Sequence, residues 1–193
     1  MLKPEQVTKI GQKKLDALVA IQLHRKQIRI LQRINRVFDC LCIAVPAFYL
    51  TPRLLAKNTS FAIYIDFFGE FLAGILLVLA IIKLVNKWQD DEFKHTSISQ
   101  RNADIVYEAD RLLESQTTSI EALEQFLKRV QDVDAEDQAL LINTKKDDKQ
   151  TAYREALKQL SSSTTILCPI CNSDPWKFTA GTCQACGGKP SIP

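Results

Sequence analysis

The sequence has few of the residues that interrupt regular secondary structure. Its 193 residues include only 6 glycines and 7 prolines, which is typical of a chain built from helices with few turns. It has no glycine-rich phosphate loop, no nucleophile elbow and no paired-histidine metal motif, and these absences argue against an enzyme. The two histidines, His24 and His95, stand apart from any cysteine or carboxylate cluster in the sequence. We expect both to lie in helices and to be exposed to solvent.

Cysteine is scarce except near the end of the chain. Four of the six cysteines form two C-x-x-C knuckles separated by eleven residues: Cys168, Cys171, Cys183 and Cys186. This spacing is typical of a four-thiolate zinc site. Iron in a rubredoxin-like site is the alternative metal, and two disulfides are the alternative without metal. A closed site of four cysteines leaves no open position for catalysis by the metal.

The residues around the knuckles support a metal-dependent fold. Gly187 and Gly188 follow the second knuckle and allow a tight turn that points backbone N–H groups at sulfur. Asn172 follows the first knuckle and tolerates a positive φ. Residues 166–193 contain too few apolar side chains to fold without metal.

Long uncharged runs are also missing, because the two apolar stretches, 40–50 and 71–82, are each shorter than the roughly 20 residues that cross a bilayer. Spans of sufficient length, 37–55 and 61–85, arise when Asp39, Asp66 and Glu70 are accepted near the span ends. The linker of residues 56–60 is short enough for a hairpin. We therefore predict a two-helix transmembrane hairpin. A soluble helical core is the alternative.

The positive charge is concentrated before the first span. Nine bases fall in residues 1–36: Lys3, Lys9, Lys13, Lys14, Arg25, Lys26, Arg29, Arg33 and Arg36. Such a flank is typical of the cytoplasmic side of a membrane with anionic lipid, and it predicts cytoplasmic chain termini. The alternatives are a solvated helix face and a basic helix packed on residues 89–160, where acids outnumber bases. Binding to nucleic acid is less favoured, because no aromatic residues are interleaved with these bases.

The predicted fold is mostly α, with four parts. Residues 1–36 form a basic amphipathic helix, 37–85 the transmembrane hairpin, 86–160 a cytosolic helical region, and 166–193 a small zinc-ribbon-like module. Within the third part we expect a helix over 90–115, a capping box Thr118-x-x-Glu121, a short segment from Asp134 to Ile142, a charged turn over 145–149 and a last helix over 151–160. Residues 161–165 are a polar linker.

Several residues of the spans are singled out by their chemistry. Asp66 and Glu70 are four residues apart, so they share one helix face, and acids inside a membrane are candidates for lining a water-filled path. The alternative places Asp66 at the outer interface. Asp39 is expected at an interface beside Arg36, and Trp88 is expected to mark the membrane interface, as Trp does at membrane boundaries. Cys40 and Cys42 are expected to be small packing residues.

The chain resembles two described groups of proteins. A helix, two spans and a long amphipathic helix starting near Lys87-Trp88-Gln89-Asp90 look like the SLATT family of two-transmembrane effectors from bacterial conflict systems. The spacing of Cys168, Cys171, Cys183 and Cys186 is similar to that of the mobilome CxxCx(11)CxxC proteins, which are carried on mobile elements. The resemblance implies a pore-forming or membrane-perturbing effector of defence in the bacterial cytoplasmic membrane, and it implies no catalytic residues.

Two classes of function follow. In the first, the chain forms homo-oligomers in the lipid bilayer and permeabilises it, because two helices cannot enclose a channel alone. In the second, it is a membrane-tethered zinc adaptor that recruits a protein from a defence operon or a nucleic acid. Oligomers and ion leakage favour the first class. A monomer that holds a partner through residues 166–193 favours the second.

Overall fold

Five helices account for most of the structure, a computed structural model that describes residues 3–55, 62–115, 119–160 and 166–190. They are α1 (Pro4–Leu55), α2 (Ala62–Asn86), α3 (Trp88–Glu114), α4 (Ile120–Leu141) and α5 (Lys146–Leu160). In the described ranges no strand forms, and a single antiparallel β-bridge joins Ala180 to Gly188. The chain divides into two compact units: the hairpin unit, residues 28–93, and the helical unit, residues 1–27 and 94–193. The predominantly helical fold is thus confirmed.

Helix α1 is continuous from the basic arm into the first apolar stretch, as the sequence predicts. It keeps its helical path through Pro46 and ends at Leu55. Helix α2 covers most of the second expected span. The linker expected over residues 56–60 lies outside the described residues.

In the hairpin unit α1 and α2 pack side by side and antiparallel. Near one end, Lys83 Nζ lies 2.5 Å from Asp39 Oδ1. Near the other end, Arg53 Nε lies 2.8 Å from Asp66 Oδ1, which also accepts a hydrogen bond from the Tyr49 hydroxyl at 3.3 Å. Each charge within an apolar segment is costly unless it is paired, and these two pairs compensate four charges across the helix interface. Asp39 is therefore held by Lys83 of α2.

The two helices approach each other closely at Gly69. A Cβ atom at this buried position would lie 2.1 Å from Cε2 of Tyr49, well inside van der Waals contact. We expect Gly69→Ala to push Tyr49 away from Asp66 and to destabilise the hairpin by about 1–3 kcal/mol, measured as a lower thermal midpoint in detergent. Gly11→Ala is the matched control, since nothing lies within 4 Å of the Cβ it would add. Equal midpoints for the two variants would contradict the close packing.

Most apolar side chains of the hairpin unit face outward. Phe48, Phe67, Leu84 and Val85 are each more than 70% exposed. Two helical segments are long and apolar enough to cross a membrane, and only 6% and 0% of their apolar windows are buried. Helices of a soluble core would instead bury these side chains. They are therefore candidate membrane spans, in agreement with the predicted hairpin.

The helical unit has an ordinary apolar core. Its main cluster combines Ile10 and Ala17 of α1 with the apolar stripes of α3 and α4; the stripe residues are Ile98, Ile105, Ala109, Leu112, Leu123, Phe126, Val130 and Val133. A second cluster joins Leu23, Leu141 and Ala152 of α1, α4 and α5. The buried apolar residues Ile98, Ile105, Ala109 and Leu112 therefore lie on one face of α3.

Three bases of α1 are paired with acids of the other helices in the helical unit. Lys13 lies 2.8 Å from Asp134 of α4, Lys14 pairs with Asp110 of α3, and Lys26 lies 2.5 Å from Asp148 of α5. For these lysines the alternative interpretation, a basic helix packed on an acidic region, is the one that the structure supports. Arg33 and Arg36, close to the first apolar stretch, are exposed.

The boundaries of α4 and α5 differ from those predicted. No break occurs before Asp134, because α4 runs unbroken to Leu141. Its N-cap is Ser119, whose hydroxyl accepts from the backbone N–H of Ala122 at 3.1 Å, while Thr118 lies outside the described residues. The expected charged turn over 145–149 is mostly the first turn of α5, where Asp147 and Asp148 complement the positive end of the helix dipole.

The expectation that both histidines are exposed is wrong. His24 is fully buried and His95 is 9% exposed. Their Nδ1 atoms lie 2.7 Å apart, and His24 Nε2 lies 2.7 Å from Asp137 Oδ1. Asn102 donates through Nδ2 to both oxygens of Asp137, at 3.2 and 3.0 Å. These four residues, which we call the histidine network, join α1, α3 and α4 inside the helical unit.

Candidate metal centre

The four knuckle cysteines converge on one point. Their Sγ atoms all lie within 4.8 Å of one another, and all four residues are buried. Cys171 Sγ and Cys186 Sγ are 3.4 Å apart. Four sulfurs at about 2.3 Å from a tetrahedral zinc would be roughly 3.8 Å apart. The observed cluster therefore has the size and the donor set of a closed four-thiolate metal site.

The predicted turns are the ones that place the sulfurs. Asn172 has φ 54° and Gly187 has φ 69°, so the residue after each knuckle is left-handed. Each closes its knuckle: Asn172 N donates to Cys168 O at 2.8 Å, and Gly187 N donates to Cys183 O at 2.9 Å. Gly188 N points at Cys186 Sγ, 3.3 Å away. Backbone N–H groups directed at sulfur favour the thiolate form that binds metal.

Serine at position 173 was not anticipated from the spacing of the cysteines. Its hydroxyl oxygen lies 3.1 Å from Cys171 Sγ and 3.3 Å from Cys186 Sγ. A Cβ at Gly188 would lie 2.6 Å from this hydroxyl, so the glycine makes room for it. Its position two residues after the first knuckle was the available signal, because small polar residues there reach back to the sulfur.

The thiols strongly influence each other's ionisation. Burial raises the pKa of Cys168 to about 12, and burial also raises the pKa of Cys186. Burial acts in the same direction on Cys171, but hydrogen bonds from the side chain and backbone of Ser173 and from neighbouring thiols outweigh it and lower its pKa to about 6. One thiol thus ionises easily while neighbouring thiols hold their protons. A divalent cation is the group that would let all four become thiolates together.

Helix α5 supports the cysteine cluster from outside. Leu157 is buried against the four cysteines, with Tyr153 partly buried beside it. Gln150 Nε2 donates to Cys183 O at 3.1 Å, and Arg154 donates to Cys186 O while its guanidinium lies 3.8 Å over the ring of Phe178. The knuckles are therefore packed on α5 within the helical unit. Spacing alone gave no sign of these contacts, since Gln150 and Arg154 precede the expected linker.

The state of the four cysteines separates the metal site from the disulfide alternative, but it does not separate zinc from iron. All four cysteines are free thiols, so the two-disulfide arrangement is not the one present. The donor set is purely sulfur, which suits zinc and also iron. The residues present thus fit a metal ion, and the choice between the two metals remains a prediction.

The other residues singled out in the sequence lie in the hairpin unit. Asp66 is paired with Arg53, whereas Glu70 is exposed and lines an apolar groove on α2 together with Gly74 and Val78. Cys40 and Cys42 are exposed, so the expectation that they are packing residues within the chain is wrong. Trp88 packs against Phe38, with ring centroids 4.9 Å apart.

Comparison with known proteins shows a family match for this chain. The model of a family described as mobilome CxxCx(11)CxxC protein matches residues 8–189, which includes all four knuckle cysteines. No curated protein and no solved structure matches the chain. The resemblance to the mobilome proteins is thereby confirmed, and the resemblance to the SLATT family remains a prediction.

Proposed function

The chain belongs to the mobilome CxxCx(11)CxxC protein family, and from that premise we propose that it is a membrane effector of a bacterial defence or conflict system. In this proposal the hairpin unit inserts into the cytoplasmic membrane, several copies associate, and the assembly permeabilises the bilayer. The helical unit lies in the cytoplasm, and its zinc centre fixes the fold of the surface that receives regulation or recruitment. The proposal contains no catalytic step.

The observation that carries the proposal is the outward-facing apolar surface of the hairpin unit. Two antiparallel helices cannot bury their own apolar side chains, and here most of them remain exposed. Residues 37–55 of α1 are about 28 Å long at 1.5 Å per residue, close to the roughly 30 Å of a bilayer's hydrocarbon core. The nine bases before that segment favour the cytoplasm for both chain ends.

The groove on α2 supports self-association. Glu70, Gly74 and Val78 follow each other at intervals of four residues, so they lie along one helix face. Small residues on such a face let a second transmembrane helix approach closely. In an oligomer packed through this face, Glu70 would lie near the contact between copies. Asp66 would also line the path through the membrane once it is released from Arg53. A path lined by these carboxylates would favour cations.

Gly74→Leu tests self-association without disturbing the hairpin, because nothing lies within 4 Å of a Cβ at Gly74. We expect this variant to insert normally, to lose the oligomer on cross-linking in membranes, and to lose toxicity on induced expression. Ala73→Leu, which adds the same side chain outside the groove, should keep both. Normal oligomers in Gly74→Leu, or extraction of the wild-type chain by alkaline carbonate, would contradict the proposal.

A second function, a membrane-tethered zinc adaptor, is favoured by one observation. Leu167, Ile170, Trp176 and Phe178 are each 45–67% exposed around the knuckles. An apolar surface of this kind on a small module suits a partner protein. A wild-type chain that does not permeabilise membranes and that binds one partner protein through these residues would favour the adaptor over the effector.

A further inference from the structure

A cavity of about 420 Å³ lies in the hairpin unit where α2 gives way to α3. Its volume is within the range of small-ligand pockets, about 300–1,000 Å³. One part of its lining is apolar and comes from Cys42 of α1 and from Ala80 and Leu84 of α2. The other part is charged, and Trp88 lies at the junction. An occupant with an apolar part and a charged part would match this lining.

The backbone at the junction holds an uncommon conformation. Lys87, between the two helices, has φ 48°, a left-handed value that a residue with a side chain adopts rarely. Its carbonyl accepts from the N–H groups of Asp90 and Asp91, at 2.9 and 3.2 Å. The turn thus starts α3 and places the Lys87 and Asp90 side chains on the same cavity.

The charges of the cavity have both signs. Lys83 is held at 2.5 Å from Asp39, so its charge is already balanced. Lys87 and Asp90 are both exposed and both line the cavity. They offer one ammonium group and one carboxylate. A purely anionic ligand would meet the carboxylate unfavourably, whereas a ligand with a phosphate and an amine meets both side chains favourably.

We infer that this cavity binds one glycerophospholipid whose head group carries a primary amine beside its phosphate. Lys87 would hold the phosphate, and Asp90 would accept from the head-group ammonium. The wall of Cys42, Ala80 and Leu84 would receive the start of an acyl chain. Trp88, steadied by Phe38, suits the interfacial depth at which indole rings concentrate. The inference rests on the proposed insertion of the hairpin into a membrane.

The test uses the full zinc-loaded chain reconstituted in vesicles of phosphatidylethanolamine, phosphatidylglycerol and phosphatidylcholine in equal parts. Flotation first reports insertion, and native mass spectrometry after gentle extraction then counts the retained lipids. We expect one phosphatidylethanolamine per chain. Lys87→Gln should lower retention of every phospholipid about tenfold, because it removes one charged hydrogen bond. Asp90→Asn should shift retention towards phosphatidylglycerol. Lys128→Gln, an exposed lysine of α4, is the control and should change nothing.

The different effects expected for Lys87→Gln and Asp90→Asn separate lipid binding from a merely structural role. Damage to the fold would lower the retention of every lipid in both variants. Retention of lipids in the ratio of the vesicles, or the same retention in Lys87→Gln, Asp90→Asn and Lys128→Gln, would overturn the inference while insertion stands. A wild-type chain that fails to float with the vesicles would overturn the proposed function and the lipid site together.

Discussion

Replacing Cys168 by serine should remove the bound metal and unfold the segment that carries the knuckles. We expect one zinc per wild-type chain and only a small fraction of that in Cys168→Ser. In small zinc modules the binding free energy, about 10–16 kcal/mol, serves as folding free energy, so a site with one weaker ligand loses both. Within residues 166–190 the only buried residues besides the four cysteines are Pro175, Gly187 and Gly188, so few other contacts would compensate. Elemental analysis and limited proteolysis of the purified chain measure the two effects.

Cys42→Ser is the matched control, because Cys42 is also a free cysteine but is exposed and belongs to the hairpin unit. This variant should keep its metal and its protease resistance. Full zinc in Cys168→Ser would show that the four sulfurs are not the ligands. Purified wild-type protein without zinc or iron would show that the cluster is not a metal centre.

The second large effect is expected at Asp137. Its carboxylate accepts from His24 and from Asn102, both almost fully buried. Asp137→Ala would leave these donors inside the helical unit without an acceptor, and each orphaned buried group costs about 1–3 kcal/mol. A total of about 3 kcal/mol corresponds to a fall of roughly 6–12 °C in the thermal midpoint for a chain of this size. Thermal unfolding of the chain in detergent, followed by circular dichroism, measures it.

The neighbouring residue provides the control. Glu136 is also an acid of α4, but it pairs with Arg101 at the surface. Glu136→Ala should cost less than about 1 kcal/mol, as exposed ion pairs do. Asp137→Asn should lie between the two, since its amide keeps one oxygen for His24. If Asp137→Ala and Glu136→Ala unfold at the same temperature, the histidine network contributes nothing to stability.

The histidine network shows what sequence reasoning missed. His95 and Asn102 fall on the same helical stripe as Ile98 and Ile105, and Asp137 falls on the stripe of Val130 and Val133. A polar residue in step with a buried stripe is the signal that was available. The expectation that His95 is exposed follows from the polarity of histidine and not from its position on the stripe. The partners are also far apart in the chain, since His24 and Asp137 are 113 positions apart, and spacing does not predict such pairs.

Local patterns, in contrast, predicted local geometry well. The left-handed turn at Gly187 follows from glycine directly after a knuckle, and the first part of α1 follows from the scarcity of helix-breaking residues over 5–36. The capping box predicts the start of α4 one residue early, and Asp134 predicts a new helix start because aspartate is common at N-caps. In the structure Asp134 pairs with Lys13 of α1, and tertiary contacts of this kind override a capping signal.

The central claim is that the inserted chain permeabilises a membrane, and cation release from vesicles tests it most directly. Purified, zinc-loaded protein should release trapped potassium at a rate that rises more steeply than linearly with the protein-to-lipid ratio, because the path needs several copies. Replacing Asp66 and Glu70 by asparagine and glutamine should reduce that release while flotation and oligomer size stay unchanged. Wild-type protein that floats with the vesicles and releases no potassium at any ratio would contradict the account.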